Sequence, residues 1–126
     1  MRFSVVPFLM ILNGLYDLVC SLSIVLKLDN TFSDLHTDMF IDRETSKNDK
    51  FTRMMACWIC TYGCIRIYAG LDKRFASQLM CAASYAIEAI YFEYECTFEK
   101  TVHCPEAHFV STCSVLAVMV IFWNEL

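Results

Sequence analysis

With 126 residues, 57% of them hydrophobic, and a mean hydropathy of +0.45, the chain carries too little polar surface to clothe a soluble globule, so lipid is its expected solvent. A soluble helical bundle would need a clear polar face on each of its helices. The formal net charge of -4 excludes the broad basic field that nucleic-acid binding requires, and no nucleic-acid partner is expected.

Four apolar stretches, at about 3–26, 54–71, 75–92 and 107–123, each approach the roughly 20 residues a helix needs to cross a bilayer. They predict an all-α fold, an integral membrane bundle of four transmembrane helices forming one domain over 1–126. The first stretch follows Arg2, as a secretory signal would. However, it is long, contains Asn13 and Asp17, lacks a small-residue cleavage site, and therefore reads as a span. Asn13, Asp17 and Ser21 recur every four residues and share one helix face.

Residues 27–50 form the one longer polar loop, between the first and second spans, where six acids mix with Arg43, Lys47 and Lys50. Within it the spacing predicts a short helix capped by Ser33, with Met39 and Phe40 resting on the membrane surface. Residues 45–49 read as a flexible crest. The second span opens with Arg53 and Trp58, holds Gly63 and Gly70, and carries Arg66 about 7 Å from its far end, close enough to snorkel there or to reach an acid. Only Asp72-Lys73-Arg74 separates it from the third span, which forces an antiparallel hairpin. The third span brings Glu88 to the same depth as Asp17, roughly 20 Å from the face that holds the termini. It ends at Glu93, within reach of Arg53 for an ion pair at the membrane edge. Replacing Arg53 or Glu93 with Ala is then expected to weaken the bundle or its docking.

An even number of spans puts both termini on one side. The basic residues give no clean orientation, with a lean toward termini facing cytosol or matrix. Ionisable groups in hydrocarbon cost roughly 2.5–3.5 kcal/mol each on insertion scales, so Asp17, Arg66 and Glu88 need partners. Two readings follow from this: a hydrated ion or proton path, or interhelical hydrogen bonding that fixes the bundle or docks a neighbour.

Eight cysteines add a third possibility. Cys57-Trp58-Ile59-Cys60 and the loop pair Cys96 and Cys104 fall on one membrane face, the arrangement of quinone-coupled disulfide-generating four-helix proteins, which this segment and Arg66 superficially resemble. A structural disulfide between Cys96 and Cys104 in an oxidising compartment competes with that reading. His103, Cys104 and His108, with Cys96 or His36, offer metal donor types, but no second Cys-x-x-Cys or compact His pair completes a zinc pattern. No metal, cofactor or catalytic residue is expected, and no hydrolase triad or phosphate-cradling loop is present in the sequence.

The arrangement Arg53, Trp58, Arg66, a short turn, a third span and Glu93, with the ending Phe122-Trp123-Asn124-Glu125, is similar to the ergosterol biosynthetic protein 28 family. The chain differs where Met54-Met55-Ala56 stands for that family's Thr-Phe-Gly, and at Ala89, its third-span His position. The resemblance implies a small four-span, non-catalytic scaffold that tethers sterol-synthesis enzymes in the endoplasmic reticulum membrane. The expected partners are other integral membrane proteins of a multi-subunit complex, together with membrane lipids. An accessory subunit of a respiratory complex in the mitochondrial inner membrane is the companion expectation. A quinone-coupled thiol-disulfide oxidoreductase and a small ion or proton transporter are the alternatives.

Overall fold

A computed structural model describes residues 5–125. Arg2 and the predicted start of the first span at 3 lie outside the described residues. Six α-helices follow one another: α1 (Val5–Val25), α2 (Thr31–Thr37), α3 (Arg43–Lys47), α4 (Asp49–Leu71), α5 (Phe75–Tyr94) and α6 (Cys104–Glu125), with a π-helical turn at Glu95–Glu99 after α5. Three of them, α1, α4 and α6, are long and apolar enough to cross a membrane. The predicted third span is the helix α5, but Ser77, Gln78, Ser84 and Glu88 dilute its apolar character, and by composition it falls outside that set.

Solvent preference is inverted relative to a water-soluble protein. Leu9, Leu12, Leu15, Val19 and Leu22 on α1, and Leu116, Met119 and Trp123 on α6, lie exposed, while Asp17, Arg66, Ser77 and Gln78 are buried. Lipid suits the outer faces, and the polar groups find partners inside.

The long helices pack in the order α1, α4, α5, α6, with α1 against α4 the most extensive pairing and α5 against α6 the next. The α1–α4 crossing depends on glycine. A Cβ built on Gly14 would lie 2.6 Å from the Gly63 carbonyl oxygen, and one on Gly63 would lie 2.9 Å from that of Gly14, so the two backbones touch where side chains are missing. About two turns farther along α1, Ser21 Oγ donates at 2.7 Å to the carbonyl of Ala56. By contrast α1 and α6 scarcely meet, which leaves a wedge between the outer helices.

The loop between α1 and α4 is more ordered than its composition suggests. Asn30, rather than Ser33, caps α2 by accepting from the Ser33 backbone N–H at 3.0 Å. The expected crest at 45–49 is instead the end of α3 and the start of α4. Asp42 caps α3 through the Glu44 N–H, and Asn48 caps α4 through the N–H groups of Lys50 and Phe51. Met39 and Phe40, expected on the membrane surface, are buried against Phe92, Cys96 and Val102. The reason is a backbone pairing: Ile41 N–H donates to Thr101 O at 2.9 Å and His103 N–H to Met39 O at 2.8 Å, drawing the segment under the α5–α6 connection.

At the other end, the α4–α5 turn is held by Asp72. Its carboxylate accepts from the Ser77 hydroxyl, from the Arg74 backbone N–H, and from Arg74 Nε at 2.9 Å, and these bonds hold its carboxyl down to about 2. A depressed carboxylate contributes stability that is present above its unfolded pKa and lost as pH falls through the folded value. Acidification from about pH 4 toward 2 is therefore expected to loosen this turn. Amide exchange at residues 74–78 checks it, with Asp72→Asn removing the pH dependence.

Candidate functional site

The candidate site is built on α1, α4 and α5, midway between two apolar clusters. One of these holds Cys20, Ile24, Met55, Ile59 and Phe92, and the other Met10, Ala69, Cys81, Ala82 and Ile121. Arg66, 2% exposed, is the centre. Its Nη1 donates to Asp17 Oδ2 at 2.7 Å, its Nη2 to Glu88 Oε2 at 2.7 Å and its Nε to Ser84 Oγ at 3.3 Å. Ser84 in turn donates to the Cys81 carbonyl at 2.7 Å. The guanidinium stacks over Tyr85, 3.8 Å from the ring centroid, with the Tyr62 ring at 5.4 Å. Tyr85 donates its hydroxyl to Asn13 Oδ1, which ties α5 back to α1.

Arg66 therefore does not snorkel. The glycine contact of α1 and α4 brings Asp17 beside it, and in the interior two carboxylates hold a planar guanidinium far better than a distant interface does. One arginine against two carboxylates makes the ionised cluster negative by one charge. Ser84 and Tyr85, which the polar-residue pattern left unremarked, lie four and three residues before Glu88 on the same helix face, and that periodicity was the signal for them. His36, expected to be a solvated loop histidine, instead projects from α2 over the cluster. Its Nδ1 is buried without a hydrogen-bond partner among the described residues, and burial holds the imidazole below its ordinary range.

Next to the cluster, the wedge between α1 and α6 opens into a cavity of about 800 Å³. Asn13, Asp17, His36, Arg66, Tyr85 and Glu88 line one part of it, and Val6, Leu9, Met10, Phe109, Val120 and Ile121 are among the apolar residues lining the rest.

The predicted Arg53–Glu93 ion pair is not formed. Arg53 is exposed, and Glu93 instead engages His108 Nδ1 at 2.8 Å, on α6, which packs more extensively along α5 than α4 does. Trp58 sits in an aromatic group with Tyr62, Tyr91 and Phe92, at ring-centroid distances of 5.1 to 6.1 Å. Cys57 and Cys60 are free thiols, the first exposed and the second half-buried. Cys96 and Cys104 form a disulfide. Their sulfurs and a His108 ring nitrogen lie within 4.8 Å of one another, but in the disulfide form the sulfurs offer no thiolate to a metal ion.

A family model described as Erg28 like protein matches residues 7–122, nearly the whole chain. No curated protein and no solved structure matches.

Proposed function

The chain belongs to the Erg28-like family, and from that membership we propose that it is a non-catalytic scaffold or accessory subunit that gathers membrane enzymes of sterol synthesis in the endoplasmic reticulum membrane. The observation that favours the non-catalytic reading is that the charged groups of the cluster are held by one another across the helices. Arg66 donates to Asp17, Glu88 and Ser84, and Tyr85 donates its hydroxyl to Asn13. Polar groups that satisfy one another across three helices set helix order and spacing.

The same inversion supports α5 as a fourth crossing. Its polar residues turn inward, and Leu79, Met80, Ile87 and Ile90 remain exposed on its outer face, as a lipid-facing helix requires. Four crossings return the chain to the side from which it started. Contact with other integral membrane proteins then falls to the outer helix faces and to the acidic segment around α2 and α3. Nothing observed favours the mitochondrial inner membrane or a respiratory assembly.

Gentle detergent extraction from the native membrane, native sizing and mass spectrometry of co-migrating proteins test this reading. The expected result is co-migration with sterol-synthesis enzymes at variable ratio. Migration as a lone chain, or in a fixed-ratio assembly of another process, would contradict it.

A further inference from the structure

We propose that the wedge between α1 and α6 is a binding site for one amphipathic lipid with a neutral hydroxyl head, its head against His36, Asp17 and Glu88 and its apolar body along α6. The site does not depend on the scaffold reading, and its test uses the isolated chain.

Three observations carry it. The cavity holds about 800 Å³, within the range of about 300–1,000 Å³ typical of small-molecule sites. It is also asymmetric in chemistry. Asn13, Asp17, His36, Arg66, Tyr85 and Glu88, from α1, α2, α4 and α5, supply most of the polar lining, while α6 adds Glu106 and Ser114 to a surface that is otherwise largely apolar, with Val6, Leu9, Phe109, Val120 and Ile121 among its residues. Leu9 and Phe109 at its rim are exposed, so it opens sideways, where acyl chains lie in a bilayer. Finally, the polar end is incomplete. His36 Nδ1 is buried with no partner among the described residues, which normally costs on the order of 1–3 kcal/mol and which a polar group of a ligand would relieve.

The charges of the cluster select the head. A carboxylate or phosphate head would meet Asp17 and Glu88, and the one cation there, Arg66, is already held by both acids. An ammonium head would find negative charge but would have to shed its water in a buried site, at far greater cost than a hydroxyl. A hydroxyl donates to a free carboxylate lone pair and accepts from an imidazole N–H, or donates to the bare nitrogen, so it serves His36 in either tautomer.

The test uses the purified full chain in detergent micelles and a diazirine-bearing hexadecan-1-ol as photolabel. Competitors are hexadecan-1-ol, its methyl ether, hexadecylamine and palmitate. Label is expected on peptides of α1 and α6, competed by the alcohol about tenfold better than by the ether, the weight of one buried hydrogen bond. His36→Phe is expected to weaken labelling about tenfold, and His36→Gln, which keeps a donor and an acceptor, to weaken it less. Ala117→Trp, which fills the apolar part, is expected to abolish labelling while helix content and thermal unfolding stay unchanged. Equal competition by alcohol and ether would overturn the proposal, because the polar end would then play no part. Stronger competition by the amine or by palmitate would overturn the choice of head, and labelling confined to α4 or undiminished in Ala117→Trp would overturn the site.

Discussion

Replacing Arg66 with Met is expected to destabilise the bundle by about 3–5 kcal/mol, the usual consequence of removing one partner from a buried ion cluster. The residue joins α1 to α5 through Asp17 and Glu88 at 2.7 Å each, and it is 2% exposed. Without it, the buried carboxylate of Asp17 and the half-buried one of Glu88 are left with no cation between them. The partners should not behave alike. Asp17→Asn leaves Arg66 and Glu88 as a balanced pair, and Glu88→Gln leaves Arg66 and Asp17, so each should cost clearly less than Arg66→Met. Arg66→Lys should fall between, since an ammonium keeps the charge but loses the planar fork that reaches two carboxylates and a serine. Combining Arg66→Met with Asp17→Asn and Glu88→Gln should recover much of the loss, because no buried charge is then left unpaired. Denaturant unfolding in micelles measures the series. Arg66→Met within about 1 kcal/mol of the unaltered chain would mean that water reaches the cluster.

The second large effect is expected at the α1–α4 crossing. Gly63→Ala places a methyl group 2.9 Å from the Gly14 carbonyl oxygen and 3.1 Å from Asp17 Cβ, and the oxygen belongs to backbone that cannot swing aside. The helices must separate, at a cost of about 1–3 kcal/mol, and Asp17 is carried away from Arg66 as they do. Gly14→Ala meets the Gly63 carbonyl oxygen and Ile67 Cγ1 at 2.6 Å and should cost at least as much. The double variant should cost less than the sum of the two, since both methyl groups demand the same separation. Cys57→Ser, at an exposed position, serves as the control and should be neutral. Unfolding free energies, together with cysteine cross-linking between α1 and α4, report both the loss and its cause.

These effects also show which parts of the molecule its sequence exposes. Hydropathy and span length locate α1, α4 and α6 because membrane helices must be apolar over a fixed thickness. Counting rise per residue puts Asp17 and Glu88 at one depth, and the structure joins both to Arg66. Depth alone leaves Arg66 itself undecided, since a residue near a helix end can snorkel unless a close crossing offers it a better partner. That crossing depends on Gly14 meeting Gly63, a pairing between helices that neither segment reveals alone. Arg53 and Glu93 illustrate the converse: two charges at one membrane edge suggest a pair, yet His108 from the neighbouring helix takes Glu93.

The polar loop was the least legible part. Asp42 and Asn48 are cap residues at the right spacing, so α3 and the early start of α4 could have been read from them. The burial of Met39 and Phe40 could not, because it follows from a backbone bridge between Phe40 and Val102 far along the chain. The weak apolar character of α5 has a plain cause as well: a helix that supplies Ser77, Gln78, Ser84 and Glu88 to the interior spends part of its composition on partners rather than on lipid.

Action by contact rather than by chemistry is tested most directly by bypass. In cells lacking the chain, sterol-synthesis enzymes that co-migrate with it would be fused to one another by a flexible linker, and flux through their steps measured. A scaffold supplies only proximity, which a short linker replaces with millimolar effective concentration. The account predicts that fusion restores most of the flux without the chain. If the fused enzymes stay slow until the chain itself is returned, it contributes more than contact and the account is wrong.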